Sequence, residues 1–96
     1  MKPKEIVEQL IEIARSRGIS VRKETGSFRS GYCIVNDSRL IVVNKATPIE
    51  TLIKVLSQSL IVEQIDMHYL KPAVRDLIDR EKLLLEAESQ VELVVN

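Results

Sequence analysis

The sequence predicts an α+β domain in the order α-β-β-β-α-α, with a three-stranded antiparallel meander covered by a buried central helix. Three observations carry this expectation. Apolar residues recur at spacings of three and four near the amino terminus and again beyond Thr47. Between these stretches the period falls to two, in short β-rich runs separated by turn-formers. The chain has 96 residues, one domain's worth, and its 45% hydrophobic content is enough for a real core. Residues 1–90 read as that domain and 91–96 as a tail.

In the first helix Ile6, Leu10, Ile13 and Ala14 form an apolar stripe that Val7 and Ile11 widen. It should run from about Pro3 to Arg17, with Pro3 suited to the first turn and Gly18 free to take the left-handed conformation that ends it. Ile19 and Val21 then open a strand. "GYCIVN" and "RLIVVN" supply two more, and the Asn36-Asp37-Ser38 cluster predicts a tight hairpin between them. The longer "TGSFRSG" joins strand one to strand two.

"ATPIETLIKVL" opens the second helix, with Thr47 as cap, Pro48 as first helical residue and Glu50 completing a capping box. Its apolar positions, from Ile49 to Val62, point nearly all the way round, the pattern of a buried helix. "DMHYLKP" interrupts, and Pro72 starts a third helix with Val74, Leu77, Ile78 and Leu84 or Leu85 on its inner face. This helix should reach about Glu88, and "VELVVN" beyond it looks more like strand.

Net charge is zero but unevenly placed. Residues 19–45 carry Arg22, Lys23, Arg29, Arg39 and Lys45 against Glu24 and Asp37, a balance of +3. Residues 46–96 carry five bases and nine acids, −4. A dipolar molecule of this kind lacks the globally basic surface of a nucleic-acid binder, and aromatics are scarce. One cysteine fits a reducing cytosol, the amino terminus has no signal-peptide core, and no apolar run approaches the roughly 20 residues that span a bilayer. A cytoplasmic protein without membrane contact is expected.

The single His68 and single Cys33 offer no paired ligand spacing, so no metal and no cofactor are expected, and His68 reads as a junction residue between helices. Cys33 reads first as a small core residue inside a strand, and otherwise as a thiol activated by Arg22 or Arg29. The glycines and serines of "TGSFRSG" suit an anion contact. A strand follows the loop, however, and the Gly-Lys-Ser ending of a nucleotide loop is missing. Ser57, Gln58 and Ser59 interrupt the second helix, either bonding back to the preceding turn or lining a cleft.

The stretch "RLIVVNKATPIETLIKVLSQSLIVEQIDMHYL" is similar to the segment of ImmA/IrrE-type metallopeptidases in which a strand ending in Asn leads into a Pro-initiated helix. In that family the helix carries the zinc motif H-E-x-x-H. Here the motif would fall near Ser57–Ile61 or Gln58–Val62, and neither the histidines nor the glutamate is present. The resemblance covers about a third of the chain and implies a metal-free relative, with no catalytic residue transferred. The chain also looks like small bacterial proteins with a Gly-x-Cys strand and a Tyr-Leu-x-Pro junction.

The expectation is therefore a non-catalytic binding or adaptor module. Its surface would be Arg22, Lys23, Phe28, Arg29 and Arg39, facing an acidic protein or a small anionic ligand. Self-association could arise through the tail from Val91 to Val95, added to a sheet edge, or through the opposed charges. The alternative is an enzyme using Cys33 as a thiol nucleophile with His68 or a carboxylate; a nucleic-acid binder comes third.

Overall fold

The computed structural model describes residues 1–66 and 70–95, with side chains described as far as residue 88. The elements are α1 (Pro3–Ser16), β1 (Ser20–Glu24), β2 (Gly31–Val35), β3 (Ser38–Asn44), α2 (Ile49–Val62) and α3 (Pro72–Val95). The result is a small α+β fold of three helices and a three-stranded mixed sheet.

The first helix ends as its sequence predicts. Gly18 sits at φ +79°, and the N–H of Ile19 returns 3.1 Å to the Ala14 carbonyl. A side chain at Gly18 would be strained at that φ and would press on the Arg39 guanidinium, 3.3 Å from the position of a Cβ. The chain leaves α1 directly into β1, and Ile19 is buried at the junction.

The sheet is not the antiparallel meander that the strand order suggests. Its order is β1-β3-β2, with β1 parallel to β3 and β2 antiparallel to β3. Both strands that come first in the chain are edges, and the last is central. The β2–β3 hairpin forms as expected, with Asn36 (φ 50°) and Asp37 (φ 65°) making the two-residue turn whose positive φ values match strand twist. The misread connection is the one from β1 to β2. Two strand spacings are only about 10 Å, so residues 25–30 can pass over the end of β3 instead of folding β2 directly onto β1. The apolar run "LIVV" of β3 puts Ile41 and Val43 in the core and leaves Leu40 and Val42 half-buried on the other face.

Cross-strand register decides which side chains share a face. Val21, Tyr32, Ile41 and Val43 face the helices, where Ile41 and Val43 join Leu10, Leu56, Leu60, Val74 and Ile78 in the core. Arg22, Glu24, Gly31, Cys33, Val35, Leu40 and Val42 belong to the opposite face.

α2 touches α1, α3, β2 and β3 and buries Leu56, Ser57, Ser59 and Leu60. Its apolar residues are not all enclosed, since Ile49 and Val62 are exposed, Val62 to 66%. The expected capping box does not form. Pro48 occupies the cap position, no side chain caps the helix, and the Thr47 hydroxyl pairs with Ser30 at 2.8 Å instead. At the other end, α3 continues as helix through Val95, where a strand-like tail was expected. No Gly or Pro follows Pro72 as far as Val95, so nothing in the backbone stops it. Strand exchange through residues 91–95 thereby loses its basis. Among the described residues no helix is long and apolar enough to cross a membrane.

Candidate functional site

The loop between β1 and β2 is held down by one buried amide. Asn44, at the end of β3, donates from Nδ2 to the carbonyls of Gly26 (2.9 Å) and Phe28 (2.7 Å). Its Oδ1 accepts from the N–H of Ala46 (3.0 Å), and its own N–H donates to the Ser30 hydroxyl (2.8 Å). The loop is thus a fixed bridge over the end of the central strand. Phe28 folds back over Gly26, where any Cβ would lie 2.9 Å from its ring. The ring stays 36% exposed and, with Arg29, stands between two grooves. One, of about 430 Å³, runs over the sheet past Glu24, Gly31, Tyr32, Cys33 and Val42. The other, of about 450 Å³, leads toward Thr47, Pro48 and Thr51 at the start of α2.

Strand alternation divides the five residues expected to form one basic surface. Arg22 belongs to the face away from the helices, beside Val42, and Arg29 and Phe28 border the groove on that same face. Lys23 pairs in register with buried Val43 and so turns to the helix side of the sheet edge. Arg39 is also on the helix side. It donates to the Glu63 carboxylate and, through its other nitrogen, to the Arg17 carbonyl at 2.6 Å. Arg39 is therefore a structural clasp joining the ends of α1 and α2 to the sheet. Tyr32 completes it by donating to the other Glu63 oxygen. The bond from Tyr32, with that from Arg39, holds the Glu63 carboxyl below its ordinary value against the opposing pull of burial. The same bond to Glu63 raises the Tyr32 phenol. This clasp left a readable trace in neither spacing nor composition, because Tyr32 and Glu63 are 31 residues apart.

Cys33 is exposed, not a core residue. It lies on β2, in register with Leu40, and strand alternation turns its side chain to the open face, opposite to that of Tyr32. His68, the base it was paired with in expectation, lies outside the described residues. Among the described residues no group of three or more His, Cys, Asp or Glu converges as a metal site.

Within α2, the Ser59 hydroxyl bonds back to the Val55 carbonyl at 2.8 Å, and Gln58 donates to Glu81 of α3 at 3.0 Å. Ser57 is fully buried and its hydroxyl has no hydrogen-bond partner among the described residues. Sequence reasoning could not separate these three neighbours, because helix rotation gives each a different surrounding.

Compared with known proteins, the chain matches no family model, no curated protein and no solved structure.

Proposed function

We propose that the protein is a non-catalytic binding module whose working surface is the open face of its sheet, and that it docks an acidic protein partner there. The observation that carries this reading is the one-sided layering of the fold. Among the described residues every helix packs on the Ile41–Val43 side, while Leu40 and Val42 are only half-buried and Val35 is 52% exposed on the other. Phe28 supplies an aromatic edge to the groove, and Arg22 and Arg29 supply positive charge beside it. A small anionic ligand held by the same two arginines belongs to the same reading.

The test is a titration of the whole protein with a fluorescent poly-glutamate peptide at low salt. Binding should weaken about tenfold or more for Arg22→Glu combined with Arg29→Glu, an effect of charge reversal at the site. Lys23→Glu, on the other side of the edge strand, should change it by less than about twofold. Equal losses from both variants would mean that net charge, not this face, governs binding.

The core is further read as a metal-free relative of the ImmA/IrrE strand–helix unit, with α2 as its central helix. Supporting this is the polar run Ser57-Gln58-Ser59, set in a buried part of α2 where the resemblance places the zinc motif. These residues supply no metal ligand set. Installing Ser57→His, Gln58→Glu and Ile61→His together should give weak zinc binding, two histidines being one short of the three protein ligands of a zinc site. A folded triple variant that takes up no zinc would count against the kinship.

A further inference from the structure

We infer that the outer edge of β2 takes up an extended peptide as an added strand, with an uncharged aliphatic side chain seated between β2 and α2. This edge is a different surface from the open face of the sheet, and the inference does not rest on the reading of that face.

The two edges of the sheet are finished differently. Hydrogen bonds at the end of β3 fix the direction of its backbone groups. The N–H of Lys45 donates to the Glu24 carbonyl, and that of Asn44 donates the other way, to Ser30. Alternate residues of β3 therefore serve β1 and β2. Gly31, Cys33 and Val35 are the residues of β2 that bond to β3, in register with Val42, Leu40 and Ser38. The N–H and C=O groups of Tyr32 and Ile34 point outward, and among the described residues none of them has a partner. On β1 the same alternation turns Val21 outward, and its carbonyl accepts from Arg15 at 3.4 Å. Arg22, Lys23 and Glu24 add charge to that strand. β2 reads GYCIV, without charge or proline, so nothing on it deters a further strand.

A groove beside the β2 edge identifies what the added strand must carry. It has a volume of about 230 Å³ and lies between Tyr32 and the Val55, Ser59 and Val62 side of α2. No charged side chain lines it, and its polar members are committed: Ser30 to Thr47, Gln58 to Glu81 and Ser59 to the Val55 carbonyl. It suits an aliphatic group and penalises a charged one. A strand paired with β2 turns every second side chain to the helix side. The one opposite Tyr32 enters the groove against Val62, which is 66% exposed, and the one opposite Ile34 covers a side chain that is 63% exposed. A second copy of β2 fits this place poorly. Two β2 strands paired edge to edge would stand about 4.8 Å apart, while each α2, packed on its own β2, is about 10 Å across, so the two helices would compete for the groove. The occupant that fits has no helix above it: an extended segment with aliphatic residues at alternate positions.

The probe is the capped peptide Lys-Thr-Ile-Thr-Ile-Thr-Lys, added to the whole protein while amide exchange is read by NMR. At up to about 1 mM peptide, exchange at the Tyr32 and Ile34 amides should slow by about tenfold or more. The amides of Gly31, Cys33 and Val35, already bonded to β3, should change by less than about twofold. A peptide with aspartate at both isoleucine positions should bind about tenfold more weakly or worse. Val62→Lys should weaken the isoleucine peptide by a similar factor. It leaves the fold intact, because Val62 is exposed in the last turn of α2, where a cation suits the helix end.

Binding that leaves the Tyr32 and Ile34 amides unprotected overturns the inference. So does equal binding of the two peptides, or the absence of binding. Protection of the same amides on raising the protein concentration alone would give the edge to a second copy, and overturns it as well.

Discussion

Arg22 and Lys23 are adjacent in the chain and stand on opposite faces of the sheet, Arg22 beside half-buried Val42 and Lys23 beside buried Val43. With Arg39 committed to Glu63, the basic segment offers Arg22 and Arg29 to the open face. On that face the two arginines stand with Glu24 and a half-buried apolar strip, so its charge differs from the segment's total.

The Glu63 clasp makes stability depend on pH at both extremes. Its carboxyl is held below its ordinary value of 4.5, so its contribution is present above that pH and is lost as pH falls through the folded value. Tyr32 is shifted the other way, up from 10.0, so its contribution is present below that pH and is lost as pH rises through the folded value. Melting curves of Glu63→Gln should be flatter than wild type on the acid side, and those of Tyr32→Phe flatter on the alkaline side. Unchanged slopes in both would mean that the clasp does not persist in solution.

Asn44→Asp should destabilise the protein by about 1–3 kcal/mol at neutral pH, although it alters a single atom type. A carboxylate cannot donate, so the carbonyls of Gly26 and Phe28 would lose their partner and face a negative charge. Hydrogen exchange of residues 25–30 should rise together with the loss in melting temperature. Exchange confined to its wild-type pattern would show that the loop has another anchor.

Ser57→Ala should stabilise the fold by up to about 1 kcal/mol, because it removes a buried hydroxyl that has no partner among the described residues and leaves an apolar group of nearly the same size. A drop in denaturation midpoint would reveal that the hydroxyl is bonded.

Cys33→Ser should shift stability by no more than about 0.5 kcal/mol, since the thiol is exposed. In folded protein the thiol should be alkylated without prior denaturation. A thiol modified only after unfolding would show that it is covered in solution.

What the sequence made legible follows the range of each interaction. The stripe from Ile6 to Ala14, the stop at Gly18 and the Asn36-Asp37 turn are local, and each lies in the structure where periodicity and turn chemistry put it. The place of β3 between β1 and β2 is not local. Alternation marks a strand but not its neighbours. Thr47 shows how a sound local rule loses to tertiary contact, its hydroxyl being drawn to Ser30, 17 residues away. The candidate surface was half legible for the same reason. Residue type groups Arg22, Lys23, Phe28, Arg29 and Arg39 together, but that Lys23 and Arg39 lie on the helix side follows only from the register of the sheet and the position of Glu63.

The strand order also dictates a sequence of events. β1 is made first on the chain, yet among the described residues its sheet partner is β3, the last strand made, so it stays unpaired until β3 is available. Two-residue hairpins form in microseconds, whereas bringing β1 to the far side of β3 requires closing a longer loop over it. The hairpin is then expected to form the nucleus and β1 to arrive late. Substitutions in the Asn36-Asp37 turn should slow refolding, while Val21→Ala should chiefly hasten unfolding. Stopped-flow measurements showing the reverse would place the parallel pair first. Until β1 closes, the free side of β3 is an unpaired apolar edge, and the chain is most open to wrong partners in that interval.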